Sequence, residues 1–139
     1  MSAQRPSGLT AVLAFSGLLA LSGCGFGGPA HGPPTPGVAA VVHMAFHSFE
    51  PSTVTVRAGD TVEWRNTAVI YHTVTADPTL ADDPSNVSLP PGAMPFHSGR
   101  VEAGELYRQT FTVPGTYRYT CLPHEFEGMQ GTVVVTPAL

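Results

Sequence analysis

The feature that most constrains this chain is a short segment near its C-terminus, residues 121–129, with the sequence C-L-P-H-E-F-E-G-M. It brings together a thiol, an imidazole and a thioether, a donor set that suits copper, whereas zinc and iron rarely recruit methionine. Such a site needs a second imidazole, and His72 supplies one from a distant segment. We therefore predict that one copper ion is bound by His72, Cys121, His124 and Met129, with the methionine as a weak axial ligand.

The chain between these ligands alternates apolar and polar residues over short runs that turn residues separate, a pattern typical of β-sandwiches and barrels. No segment shows helical periodicity. The alternation places His72 with Val74 on the apolar side of one strand, and Cys121 with Tyr119 on the apolar side of another. We predict an all-β, Greek-key sandwich or barrel over residues 38–139, with the 121–129 segment as a loop between the last two strands.

Residues 77–95 do not follow this alternation. They are rich in proline and carry Asp77, Asp82 and Asp83. The spacing of these three acids does not match a calcium-binding loop, so we interpret them as solvated. We predict a long loop here with at most one helical turn, and its length indicates either a role or local order.

The N-terminus has the features of an export signal. Arg5 precedes an apolar run over residues 9–21, which is short for a membrane span. The junction L-S-G-C that ends at Cys24 resembles the lipobox of bacterial lipoproteins, in which the cysteine is lipidated and becomes the new N-terminus. An ordinary signal peptide that contains a cysteine is the alternative, but it would leave an exposed thiol. We predict a lipoprotein signal over residues 1–23 and lipidation of Cys24.

After Cys24 the sequence of residues 25–37 is G-F-G-G-P-A-H-G-P-P-T-P-G, which predicts that residues 24–37 form a Gly/Pro-rich tether with a reach of about 40 Å. Removal of the signal takes away Arg5, so five arginines face ten acidic residues and the side-chain charge is 5 − 10 = −5. This charge disfavours nucleic acid and favours a cationic redox partner protein. We expect an exported monomer in the cell envelope, on the periplasmic or extracellular face, held to the membrane by the N-terminal lipid alone.

The pattern C-x-P-H-x-x-x-G-M-x-G-x-V-x-V, which begins at Cys121, resembles the plastocyanin and amicyanin group of cupredoxins. Further segments similar to this group are A-G-D-T-V-E-W-R-N at residues 58–66, H-T-V-T at 72–75, F-H-S-G at 96–99 and P-G-T-Y-R-Y-T-C at 114–121. The resemblance implies a cupredoxin-like fold and a mononuclear type 1 (blue) copper site that passes single electrons, switching between Cu(I) and Cu(II). It implies an electron carrier and not an enzyme.

Three residues, at two places in the sequence, depart from the family pattern. Thr73 follows the first histidine, where plastocyanin usually has asparagine, so the link between the two ligand segments is expected to differ. Glu125 and Glu127 stand beside His124, where the family commonly presents an apolar docking face. The family resemblance therefore does not identify the partner protein.

Other functions fit the sequence less well. A copper delivery or storage protein with the same ligands is the alternative that we keep. A copper oxidase or nitrite reductase fragment would need H-x-H and H-C-H motifs, which the sequence lacks. Cys121 as a catalytic nucleophile would need an orienting residue and an oxyanion-hole motif, and neither is evident. We interpret His43, His47 and His97 as ordinary strand or loop residues, with His97 the one nearest to a role.

Overall fold

The computed structural model describes residues 29–33 and 35–139. Three-residue 3₁₀ helices lie at Pro29–His31, Pro84–Asn86 and Leu122–His124. The strands are β1 Ala40–Met44, β2 Phe49–Glu50, β3 Thr53–Arg57, β4 Thr61–Asn66, β5 Thr75–Ala76, β6 Phe96–His97, β7 Leu106–Thr110, β8 Gly115–Thr120 and β9 Gln130–Thr136. Within the described ranges, no helix has the length and hydropathy that crossing a bilayer requires.

The strands form two sheets. The first has the order β2-β1-β4-β7 and the second the order β3-β9-β8-β5-β6. The pairs β1 with β4 and β3 with β9 are parallel, and the other pairs are antiparallel. Each parallel pair joins strands that are not consecutive in sequence, so the connections cross between the sheets. The prediction of an all-β sandwich is confirmed.

Apolar side chains from both sheets fill the space between them. Trp64 on β4 and Tyr119 on β8 are fully buried and meet edge to face, with ring centroids 5.4 Å apart. The Trp64 Nε1–H donates a hydrogen bond of 3.0 Å to the Tyr119 hydroxyl, so the polar atoms of both rings are satisfied. Phe49 packs on the Tyr119 ring at 4.8 Å. These aromatic contacts lock the two sheets together beneath the ligand loop.

The segment around His72 forms less regular strand than the alternation predicts. His72 pairs with Val101 in an isolated bridge, and regular pairing begins only at Thr75. The reason lies in two amide groups that bond to side chains. The Thr73 amide points to the Cys121 sulfur, and the Val74 amide donates to the Ser98 hydroxyl at 2.8 Å. These bonds replace the ladder that a neighbouring strand would otherwise form.

Residues 77–95 form the predicted long loop, and the one helical turn in it is the 3₁₀ helix Pro84–Asn86. Asp83 caps this turn, since its carboxylate accepts a hydrogen bond of 2.9 Å from the Ser85 amide. Ser88 then pairs with Arg118 of β8 in an isolated bridge. The loop is therefore ordered against the second sheet.

Of the residues interpreted as a tether, 24–37, the structure describes 29–33 and 35–37. Residues 29–33 and 35 lie against the first sheet, and we call them the strap. Ala30 is 2% exposed, and its amide donates a hydrogen bond of 3.0 Å to the Gly104 carbonyl. Signal residues 1–23 and Cys24 lie outside the described residues.

A buried ion cluster fastens the strap. The Glu63 carboxylate, 0% exposed, accepts hydrogen bonds from Arg65 at 2.6 Å, from Arg108 at 2.7 Å and from the Thr35 hydroxyl at 2.6 Å. The Arg65 guanidinium also donates to the carbonyls of residues 32 and 33, at 2.7 and 2.9 Å. The strap covers this side of β4, so five of the six residues of β4 are buried. In a strand with one face in solvent, buried and exposed residues would alternate.

Candidate metal centre

Three of the four predicted ligands converge at one end of the sandwich. The candidate ligand atoms of His72, Cys121 and His124 all lie within 4.8 Å of one another. The Cys121 Sγ is 3.6 Å from the Nδ1 atom of His72 and 3.4 Å from the Nδ1 atom of His124. Two imidazole nitrogens therefore face one sulfur, and these three residues would supply the two nitrogen donors and the thiolate that type 1 copper uses.

The ligand loop is short and tightly bonded. The Cys121 amide donates to the Met129 carbonyl at 3.0 Å, and the Met129 amide donates to the His124 carbonyl at 3.2 Å. A positive φ of 76° at Gly128 permits the turn that returns the chain to β9. The Met129 side chain is fully buried at this end of the core. The loop thus brings the backbone of its three candidate ligands together.

His72 is held from the opposite side. The Asn66 side-chain amide donates to the Ile70 carbonyl at 2.7 Å and to the Val101 carbonyl at 2.9 Å. The backbone of His72 bonds Val101 in both directions, at 3.1 and 2.9 Å. Asn66 therefore fixes the two segments that flank this imidazole. This role of Asn66 is not evident in the sequence, although the residue closes the 58–66 segment that carries part of the family resemblance.

The protonation of the three groups suits metal binding. Burial, followed by the charge of His124, lowers the pKa of His72 to about 4. Burial and the neighbouring His47 also hold the pKa of His124 below its usual value. Both rings are therefore neutral near pH 7, as ligation requires. Burial raises the pKa of the Cys121 thiol, so metal binding there releases a proton.

The residues present fit a copper ion: a buried thiol, two neutral imidazoles with their Nδ1 atoms turned to the sulfur, and a buried thioether in the same loop. The Nε2 atom of His72 does not face the sulfur and is buried in the protein, so His72 offers its Nδ1 atom to the metal.

Thr73 makes the link between the two ligand segments. Its amide donates to the Cys121 sulfur at 3.4 Å, and its hydroxyl accepts the Leu122 amide at 2.9 Å. Thr75 donates to the same hydroxyl at 3.0 Å and also bonds His97 Nδ1 at 2.8 Å. A chain of polar contacts thus runs from the exposed His97 ring to the residue that supports the thiol.

His47 contacts the candidate site directly, a contact that the sequence did not indicate. Its exposed ring lies 5.0 Å from the His124 ring, centroid to centroid, and 4.5 Å from the Phe46 ring. The sequence carries no signal for this contact, because it depends on the β1–β2 turn reaching over the ligand loop. His43 lies on β1 and is exposed.

The two acids beside His124 behave differently. Glu127 is exposed, whereas Glu125 is 5% exposed and turned into the protein. Phe126 between them is 90% exposed. The expectation that acidic residues replace an apolar face next to His124 is therefore wrong for Glu125, because its carboxylate bonds to the 82–86 segment instead.

Comparison with known proteins agrees with this geometry. Residues 38–136 match the family described as copper binding proteins, plastocyanin/azurin family. The chain is 38% identical over 87 residues to plastocyanin of Scenedesmus fuscus, a match that covers 63% of this chain and 85% of the relative. It is 35% identical over 91 residues to plastocyanin of Nostoc punctiforme, covering 63% of this chain and 64% of that protein.

Solved structures give the same answer. An oxidized mutant of amicyanin superposes with a TM-score of 0.59 at 30% identity, covering 78% of this chain and 90% of the other. A reduced mutant of amicyanin gives the same TM-score and identity and covers 79% and 90% of the two chains.

Proposed function

Because the chain belongs to the plastocyanin/azurin family of copper-binding proteins, we propose that it carries single electrons between partner proteins through one copper ion. The chain is a cupredoxin and not an enzyme. We assign the ligands to His72, Cys121, His124 and Met129. The observation that carries this assignment is the approach of two imidazole Nδ1 atoms to one buried sulfur, at 3.6 and 3.4 Å.

Copper, when bound here, supplies a one-electron couple whose two oxidation states accept similar geometry. The chain's own contribution is rigidity and the exclusion of water. His72, Cys121 and Met129 are each 0% exposed, and backbone hydrogen bonds hold the loop that carries three of the ligands. A site that cannot relax between states keeps reorganisation small, which favours fast electron exchange.

The visible spectrum of the copper-loaded protein tests the assignment. We expect intense thiolate-to-copper absorption that disappears on reduction and is lost in Cys121→Ser. Cys24→Ser is the matched control, since it removes the only other thiol and should retain the colour. Intense colour in Cys121→Ser would refute the site.

Copper delivery or storage with the same ligands remains the second function to test. The burial of His72, Cys121 and Met129 disfavours it, because transfer to an acceptor protein needs the ligands to be exchanged one after another, and only the half-buried His124 of the four can be reached by an incoming donor group. Competition with a copper(I) chelator measures this directly. Release of copper within seconds, together with slow electron exchange with small redox reagents, would favour delivery over electron transfer.

We assign the docking face to the loop end beside His124. Phe126 stands two residues after His124, and Phe46 packs on His47, whose ring lies 5.0 Å from the His124 ring. The two phenylalanines are 90% and 59% exposed. Large apolar side chains exposed together mark an interaction surface. The net negative charge of the chain supports a cationic protein partner, attracted over distance and seated on the apolar face. Salt should then slow association without weakening the copper site.

We further propose that the protein is exported, with Cys24 carrying lipid and holding a monomeric domain to the membrane. The apolar run and the L-S-G-C junction in the sequence support this. Mass spectrometry of the mature N-terminus from the native host tests it. A free thiol on Cys24, or a chain that begins elsewhere, would remove the lipid anchor and leave the copper assignment intact.

A further inference from the structure

The Glu125 carboxylate lies in the ligand loop, directly after His124, yet it serves another part of the chain. One oxygen accepts the Asp82 amide at 3.0 Å. The other accepts the Asp83 amide at 3.1 Å and the Asn86 side-chain amide at 2.8 Å. Three donors of the 82–86 segment thus converge on one carboxylate that is 5% exposed.

We propose that Glu125 is a positioning residue for the copper site, which latches the ligand loop to the 82–86 segment and so keeps His124 in place. The inference rests on the proposed function, since it concerns the same site. We call this set of three hydrogen bonds the Glu125 latch.

The latch is placed where the ligand loop has few other contacts. Apart from the Leu122 amide, which donates to the Thr73 hydroxyl, the backbone hydrogen bonds of residues 121–129 run within the loop, for example from the Gly128 amide to the Glu125 carbonyl. Of the loop's side chains, Phe126 and Glu127 project to solvent. The Glu125 carboxylate is therefore the side chain between His124 and Met129 that ties the loop tip to a separate, ordered segment.

The 82–86 segment can act as a firm anchor because it has its own structure. The 3₁₀ helix Pro84–Asn86 is capped by Asp83, and the bridge of Ser88 to Arg118 follows it on β8. Hydrogen bonds to a charged carboxylate are stronger than those between neutral groups. Three of them convert two loops into one unit, and the His124 ring then moves only if that unit opens.

Glu125→Gln tests the latch with little change of shape. An amide has one acceptor oxygen, and its NH₂ group would face donors, so at least one of the three hydrogen bonds must be lost. We expect copper loss to a copper(I) chelator to become about 10- to 100-fold faster, which corresponds to about 1.4 to 2.8 kcal/mol. Glu127→Gln makes the same charge change two residues away on an exposed side chain, and it should alter the rate less than about twofold.

The reduction potential and the visible spectrum distinguish positioning from general stability. If Glu125 acts on His124, Glu125→Gln should shift both, whereas a variant that only weakens the fold should lower the unfolding midpoint and leave them unchanged. Asn86→Ala removes one donor from the opposite side. In a double-mutant cycle, Asn86→Ala should speed copper loss much less in the Glu125→Gln background than in the wild type. Equal effects in the two backgrounds would count against the latch.

A measurement without metal separates this inference from the assignment of copper. In the copper-free protein, the Asp82 and Asp83 amides should exchange with deuterium at least about tenfold faster in Glu125→Gln than in Glu127→Gln. Equal exchange in the two variants overturns the latch even if the protein is blue. A wild-type protein that forms no coloured copper complex overturns the proposed function, while the exchange rates still decide the latch.

Discussion

The buried ion cluster around Glu63 gives the sharpest prediction of stability. Glu63→Gln removes the only carboxylate that Arg65 contacts in the described structure, and Arg65 is itself just 4% exposed. Breaking a buried pair from one side leaves an uncompensated charge, which costs about 3 to 5 kcal/mol. The Arg108 end of the cluster differs, because that guanidinium is 45% exposed and its pairing contributes about 1 kcal/mol or less.

These free energies translate into a measurable change of melting temperature. Unfolding entropy is about 2.1 cal/mol/K per residue, or roughly 0.23 kcal/mol/K for a domain of about 110 residues. Glu63→Gln should therefore lower the melting temperature by about 13 to 22 °C, and Arg108→Gln by about 4 °C or less. Circular dichroism of the copper-free protein is the assay, because bound metal would add its own stabilisation.

The ion cluster also predicts which part of the protein opens first in Glu63→Gln. Since Glu63 accepts the Thr35 hydroxyl and Arg65 donates to two carbonyls of the strap, Glu63→Gln should expose the Ala30 amide to hydrogen exchange before the two sheets open. Equal melting temperatures for Glu63→Gln and Arg108→Gln would refute the reasoning that burial decides the cost. A stable variant with an unprotected Ala30 amide would show that the cluster fastens the strap and little else.

Three further predictions follow from single residues. Burial raises the pKa of Glu63, but hydrogen bonds from Thr35, Arg108 and Arg65 outweigh it, and the net pKa is lowered. The ionised carboxylate should therefore stabilise the fold above about pH 4.5, and this stabilisation should be lost as the pH falls through the lowered pKa. In urea unfolding, the stability of the wild type should fall more steeply in acid than that of Glu63→Gln, and identical slopes would contradict this. Met129→Gln should keep copper but lower the potential in voltammetry, because an oxygen ligand favours Cu(II), and an unchanged potential would exclude Met129 as the axial ligand. Gly131→Ala would drive its new methyl group into the Tyr119 ring, which should cost about 1 to 3 kcal/mol in urea unfolding; full stability would show that the ring can move aside.

Alternation in the sequence predicted the inward direction of His72 and Cys121, because both lie in extended segments where every second side chain faces the core. Residues 121–129 indicated copper because a thiol, an imidazole and a thioether occur close together in this segment. Thr73 could not be interpreted from the sequence alone. Its amide and hydroxyl serve a sulfur and an amide 48 and 49 positions away, and only the packed structure brings them within reach.

Charged residues were the least predictable. The sequence of β4 has polar Glu63 and Arg65 on the face away from Trp64, the pattern of a solvated face. The strap covers that face, and nothing in a Gly/Pro-rich segment indicates that its carbonyl groups will meet a guanidinium. Glu125 presents the same difficulty, since its direction depends on where the 82–86 segment lies in space.

The strap shortens the length of chain that separates Cys24 from the folded domain, and so limits how far a membrane-anchored domain could move to reach a partner. A chain free from Cys24 to residue 37 has a reach of about 40 Å, but Pro29 is only five residue steps from Cys24, at most about 18 Å. The volume that a tethered domain can occupy scales with the cube of the tether's reach. With a lipid on Cys24, the shorter tether would confine the domain to about a tenth of the volume that a tether of about 40 Å allows. Its local concentration near a membrane-bound partner would then be about tenfold higher. Ala30 of the strap donates to the Gly104 carbonyl, and the Gly104 amide donates to the carbonyl of Asn66, at the metal-centre end of β4. The same few contacts that bury Ala30 would thus keep the electron-carrying end close to the bilayer surface.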